Sequence, residues 1–240
     1  MDDVRILTEG DASLLVQFKQ EISPAVNARI AATVKLLRQQ HTPGIVDVIP
    51  AFASLLINYN PGVISYAELR RRVEALLKLD IGTEHVAKRI FEIPVCYGGE
   101  YGPDLHTIAE HAGLSEEEVI EIHSSRDYLI YMLGFLPGFC YLGGLDERIH
   151  TPRLANPRKA IPQGSVGIGG SQTGIYPMQS PGGWQLMGMT PVKTYDPERA
   201  VPILVNAGEY IHFYPVDEAE YLSIKEQVEA GTYQVVIKEE

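Results

Sequence analysis

Between Gly134 and Pro191 the chain reads GFLPGFCYLGGLDERIHTPRLANPRKAIPQGSVGIGGSQTGIYPMQSPGGWQLMGMTP, and twelve of its 22 glycines lie there with seven of its 16 prolines. Proline removes a backbone donor and clashes within a helix, and glycine costs backbone entropy, so no long helix can run through this spacing. Short strands joined by tight turns fit it, with backbone passing close to itself or to a ligand. The polar residues of the stretch are then the natural site candidates: Arg153, Arg158, Lys159, Gln163, Ser165, Gln172, Tyr176, Ser180 and Trp184.

The 240 residues suffice for one large domain or two ordinary ones, and an apolar share of 45% can fill either. A formal charge of −11 argues against a nucleic-acid partner and against an anionic membrane, both of which select basic surfaces. Cys96 and Cys140 are far apart and outside any CxxC pattern, so neither a zinc site nor a disulfide framework is expected. The opening MDDVRILTEGD is not a secretory signal, and no apolar run is long enough to cross a bilayer. A soluble, cytoplasmic protein is the expectation.

Val4–Leu7 and Ser13–Phe18 read as strands about the turn residues at 9–11. Ser23-Pro24 starts a helix with Val26, Ile30, Val34 and Leu37 on one face, stopped by Thr42-Pro43-Gly44. Ile45–Ile49 and Ser54–Tyr59 form a second strand pair, and Ser65 caps a helix with Leu69, Val73, Leu76 and Leu77 inward. Without the first strand, and with Arg89–Val95 as the closing one, the order is βαββαβ, a ferredoxin-like arrangement. That last strand is equally able to open a second domain. Leu79–Lys88 marks the boundary, dividing the chain into domains 1–86 and 87–240. Beyond it, Pro103–Ala112 and a helix from Ser115, with Glu118 completing a capping box, precede strands at Tyr128–Leu133, Ala200–Val205 and Tyr210–Pro215. Ala219–Ala230 is a terminal helix, and Lys238 and the two glutamates after it are expected to fray. Many short strands with regular turns suggest a β-barrel-like second domain.

Little of the titratable inventory points to chemistry. His106 and His111 face different sides of a short helix, and His41, His85 and His150 sit beside turns. His123, with Glu117, Glu118 and Glu121, reads as a solvated acidic helix face. Gly167-Ile-Gly-Gly170 lacks the GxxxxGK[ST] pattern and a strand-loop-helix setting, leaving bulges, close strand packing or ligand approach as its role. Ser180-Pro-Gly-Gly-Trp184 reads as a tight turn whose N–H groups can form an anion nest, with the lone Trp184 as a barrel plug or a site residue. Arg153 and Arg158 suit bidentate binding of a carboxylate or phosphate, or simply the surface. The residues themselves reach a polar pocket for a small anion, with no metal site, no nucleophile and the catalytic groups unknown.

At these residues the chain resembles a known family. GFLPGFCYLGGL (134–145), PRKAIPQGSVGIGGSQTGIYP (157–177) and SPGGWQLMGMTP (180–191) are similar to the signatures of the B-type subunit of 5-oxoprolinase. EGDASLLVQF (9–18), IPAFASLLINY (49–59) and EIPVCYGGEYGPDL (92–105) match too, so the likeness covers nearly the whole chain. That family also takes in proteins called allophanate hydrolase subunit 1 and an inhibitor of a sporulation sensor histidine kinase. The resemblance implies an α+β protein, a ferredoxin-like domain followed by a cyclophilin-like β-barrel with a C-terminal helix. It implies two 5-oxoprolinase partners, a C-type subunit of related barrel fold and an A-type, lactam-hydrolase-like one. Together the three open 5-oxoproline to glutamate at the expense of ATP with magnesium. No cofactor is then bound by this chain alone. Arg158, Gln172, Tyr176, Ser180, Gly182, Gly183 and Trp184 would line the pocket for the lactam carboxylate or a phosphate. Inhibition of a sensor kinase is the alternative reading, and a component of a urea-degrading amidohydrolase–carboxyltransferase the second. Two positions depart from the family pattern. Met189 stands where many relatives carry a basic residue, and Gly169 replaces a common alanine, a change expected only to loosen a turn.

Overall fold

The computed structural model describes residues 4–21, 23–79 and 88–240, and the chain divides into two compact units, Met1–Val86 and Ala87–Glu240. The expected boundary falls mostly on residues 80–87, which lie outside the described residues, as does His85.

In the first unit β1 (Arg5–Glu9), β2 (Ser13–Gln17), β3 (Ile45–Pro50) and β4 (Ser54–Tyr59) form an antiparallel sheet in the order β1-β2-β4-β3. Helices α1 (Pro24–Gln39) and α2 (Tyr66–Leu77) start where serine was expected to cap them. Ser23 accepts from the Val26 N–H, and Ser65 from that of Glu68. Their apolar stripes bury Ile30, Val34, Leu37, Leu69, Val73 and Leu76 against Leu14, Val16, Leu55 and Ile57 of the sheet. The closing strand is not the one expected for a βαββαβ order: β1 occupies the edge beside β2, and Arg89–Tyr97 belongs to the other unit. The Gly10 turn lets β1 fold straight back onto its neighbour, a cheaper closure than a pairing across the long connection to residue 89.

The second unit is built on β5 (Arg89–Tyr97), β6 (Asp127–Leu133), β7 (Cys140–Gly143), β8 (Arg158–Ile161), β9 (Ser165–Gly169), β10 (Gln172–Ile175), β11 (Ser180–Gly182), β12 (Gln185–Met189), β13 (Tyr210–Pro215) and β14 (Ile237–Glu239). The strand order β12-β9-β10-β7-β6-β13-β5 returns to β12 through Gly188 opposite Tyr97, closing a barrel, while β8 and β11 pair separately. Alternation sends Ile93 and Val95, Tyr128 and Ile130, Val166 and Ile168, and Ile211 and Phe213 into one core. Helices α3 (Leu105–Ala112) and α4 (Glu116–Ser124) add Leu105, Ile108, Val119 and Ile122 to it. The capping box of Ser115 and Glu118 is present, and α5 (Glu218–Glu229) is capped by Asp217. The chain is therefore α+β, a sheet with two helices followed by a closed barrel with helices.

Two expectations are overturned here. Ala200–Val205 is not a strand: apart from one bridge, Tyr195 with Ile203, it is a turn organised by Asp196, which accepts the Glu198 N–H, and by Arg199, which donates to the carbonyls of Lys193 and Pro202. The tail does not fray either. β14 pairs with Arg89–Phe91 of β5, and Lys238 forms an ion pair with Glu92.

Candidate functional site

The β8–β11 ribbon carries most of the sequence-predicted residues. Ser180–Gly182 is extended and paired with Arg158–Ile161, and neither Gly182 nor Gly183 is left-handed. The expected tight turn and anion nest are thus absent, because consecutive N–H groups converge only when the backbone alternates in handedness. Gly182 is required for a different reason: a Cβ there would lie 2.4 Å from the Tyr176 hydroxyl. Gly183 offers its carbonyl to the Leu154 N–H at 2.7 Å, which draws the Arg153 loop alongside the ribbon.

Trp184 is neither a plug of the barrel core nor freely presented. It is 4% exposed and lies edge-on to Phe139 and Tyr176, with centroid separations of 5.5 and 6.2 Å. With Ile161 and Leu186 these rings form a small cluster separate from the barrel core. Gly169 and Gly174 alternate with the core residues Ile168 and Ile175, so their bare faces form the outer wall on which the indole rests. A Cβ on Gly169 would lie 2.3 Å from Trp184 Nε1. Gly169 therefore does not loosen a turn; it sits in a strand and makes room for the tryptophan. Gln172 is paired with Gly169 and shares that face, half-buried.

Arg158 is held rather than free. Its Nη2 donates to Asp104 Oδ1 at 2.6 Å and its Nη1 to the Trp184 carbonyl at 3.4 Å. The other oxygen of Asp104 accepts the Leu186 N–H at 2.7 Å, and the Asp104 N–H donates to the Leu186 carbonyl. Asp104, which falls within the matching stretch 92–105 but is not among the expected site residues, thus pins the ribbon, β12 and the start of α3 together. Its position before α3 gives an ordinary capping signal, yet its side chain makes no cap bond. Around this anchor, Arg153 and Lys159 are exposed and have no acidic partner among the described residues. Burial pushes the Tyr176 hydroxyl up, and the Trp184 backbone, Arg153 and Arg158 pull the other way. The hydroxyl of Ser180 and Oε1 of Gln185 are buried with no hydrogen-bond partner, as is the Ser165 hydroxyl. Those three polar atoms are sealed from solvent, and the groups left to face it are the cations Arg153, Arg158 and Lys159, which suit anionic oxygen.

A concavity of about 320 Å³ lies away from this wall, lined by Cys96, Tyr97, Gly98, Glu100, Tyr101 and Glu218. Its carboxylates disfavour an anion, and Met189 packs beside it with Cys96 and Tyr221. His123, expected on a solvated acidic face, is instead fully buried and bonds Tyr97 through Nδ1 and Thr173 through Nε2, each at 2.8 Å. Its ring stacks on Phe213 inside the barrel. Burial, aided by Arg126, pulls its pKa down to about 3, so it is neutral.

Residues 4–205 match the family model of the carboxyltransferase domain, subdomain C and D. The chain belongs to that family. It is 43% identical to the B-type subunit of 5-oxoprolinase from Bacillus subtilis, over 91% of this chain and 95% of that one. The corresponding protein of Escherichia coli O157:H7 is 40% identical, over 91% and 99%. Among solved structures TTHA0988 superposes with a TM-score of 0.77 at 35% identity, covering 85% of this chain and only 40% of that longer one. Among the described residues of this family member, no helix is long and apolar enough to cross a membrane.

Proposed function

We propose that this chain is one subunit of an ATP-dependent 5-oxoprolinase, which opens the lactam of 5-oxo-L-proline with water to give L-glutamate. The observation that carries the reading is the 40–44% identity to proteins of that name over most of the chain, combined with the cationic β8–β11 wall. The first unit is read as a ferredoxin-like domain with its edge strand supplied by β1, and the second as a cyclophilin-like barrel.

In this reading Arg158, steadied by Asp104, with Arg153 and Lys159 nearby, faces the carboxylate of the lactam or a transferred phosphate. Gln172 supplies hydrogen bonds, while Ser180, Gly182 and Gly183 hold the ribbon against Tyr176 and Trp184, which back the wall. The donor set fits the phosphate end of ATP. Magnesium in this reading travels with the nucleotide phosphates, and its protein ligands are assigned to the partner chains. ATP, when bound, supplies the phosphoryl group that activates the lactam, and this chain holds charge and orients the substrate. A wall without a nucleophile or base needs a second polypeptide to complete it, in keeping with TTHA0988, whose chain extends well past the region shared here. We assign those roles to a barrel-type partner and a lactam-hydrolase-like partner in the cytoplasm. Reconstitution tests it: Arg158→Ala lowers ATP-dependent glutamate formation at least about a hundredfold with the complex intact. Full turnover by that variant removes Arg158 from the site.

A further inference from the structure

Phe135 stands out from the rest of the barrel surface. It has a left-handed backbone, φ +64°, and leaves a large apolar ring 60% exposed. A bulky residue at positive φ is a true outlier and persists only where its surroundings fix it. They do. The Gly134 N–H donates to the Phe139 carbonyl, the Leu136 N–H to Gly134, and the Phe139 N–H to Leu136. Gly138 is seated so tightly on Tyr195 that a Cβ there would approach it to 2.7 Å. The loop is built, and it holds the ring outward. Glycine or asparagine would meet the backbone demand without strain, so the ring itself must account for phenylalanine at this position.

The ring continues the aromatic cluster: Phe135 meets Phe139 edge-on at 5.4 Å, and Phe139 meets Tyr176 at 5.5 Å. Tyr176 in turn senses Arg153 and Arg158. An exposed apolar knob is thereby joined to a rim of cations, in a chain of net charge −11. Arg153 on that rim is exposed and has no acidic partner among the described residues. That combination selects the occupant. A second copy meeting this patch across a two-fold axis would set cations against cations, whereas a different chain can bring carboxylates.

We propose that Phe135 is the anchor by which this chain docks a second, different polypeptide, one offering an apolar socket rimmed by acidic side chains. The inference rests on the reading of the chain as one part of a larger enzyme and locates its interface at the edge of the β8–β11 wall. Aromatic anchors seated in a partner's pocket carry a large share of binding energy, and rim charges tune encounter and salt dependence.

The test uses the full chain and the barrel-type partner from the same source, with the lactam-hydrolase-like partner present. It measures complex dissociation and the thermal midpoint of the free chain. Phe135→Gly and Phe135→Asn are expected to keep or raise the midpoint and to weaken the complex at least about tenfold. Arg153→Glu weakens it several-fold, less so at high salt, and Val46→Ser in the first unit changes nothing. If wild type forms the complex and both Phe135 variants bind equally well, the anchor is overturned while the enzymatic reading stands. If the Phe135 variants unfold, Arg153→Glu decides, and unaltered binding by it overturns the proposal. Wild-type chain that ignores the barrel-type partner overturns both readings, and self-association lost in the Phe135 variants identifies a second copy and overturns the heteromeric one.

Discussion

Acid should destabilise the barrel through His123, and the size of the effect follows from its burial. The imidazole is neutral in the fold with a pKa of about 3, against an ordinary value of 6.5 in an unfolded chain. Below pH 6.5 the unfolded chain therefore binds a proton that the folded one refuses, and stability falls as pH drops until about pH 3. The slope approaches ~1.4 kcal/mol per pH unit, so moving from about pH 6.5 to 4.5 costs about 2–3 kcal/mol, and the full window about 5. That is a large part of the ~5–15 kcal/mol available to a typical domain. Carboxylates such as Asp127, which burial pushes up but Lys88 and His212 together hold below the usual range, lose their contribution at more acid pH, which leaves the upper window to histidine. Denaturant unfolding of wild type and His123→Gln at half-unit intervals from about pH 7 to 4.5 measures it. Glutamine retains polar atoms for Tyr97 and Thr173 and does not titrate, so its stability should be nearly flat where wild type declines. Parallel curves for the two proteins would refute a buried neutral His123 as the acid-sensitive element.

Gly169→Ala should destabilise by about 1–3 kcal/mol, because its methyl meets Trp184; an unchanged thermal midpoint would place the indole elsewhere. Asp104→Ala leaves the Leu186 N–H without its acceptor and Arg158 without its partner, at a cost of about 2–3 kcal/mol. Asp104→Asn keeps the first bond and should cost less than half as much, and equal losses would show that the Arg158 contact dominates. Removing residues 237–240 strips β14 from β5 and should speed hydrogen exchange at Arg89–Phe91. Exchange identical to the full chain would show that the strand does not persist in solution.

Local chemistry made much of this fold readable. Ser23, Ser65 and Ser115 start helices because a hydroxyl beside an apolar stripe meets orphan N–H groups wherever the helix goes afterwards. What depended on distant partners was hidden. Nothing near Arg89 says whether its strand closes the first sheet or opens the barrel, since both use the same alternation. Lys238 reads as an end because its partner, Glu92, is far away in sequence. In the candidate site, Arg158, Tyr176, Gly182 and Trp184 do converge, and the glycines around them were visible as a cluster. Their division of labour was not: Trp184 and Tyr176 are mutual packing, Gly169 exists for Trp184, and Asp104 looks like any helix cap until β12 lies beside it. His123 misled because its neighbours Glu117, Glu118 and Glu121 are acidic, although it occupies the inward side of α4 with Val119 and Ile122.

The enzymatic assignment is tested most directly by glutamate release from 5-oxoproline by the purified barrel-type and lactam-hydrolase-like partners, with ATP and magnesium, in the presence and absence of this chain. The account predicts glutamate and ADP formed together when all three chains are present, and neither above background when this one is withheld. Equal glutamate in both reactions would contradict it.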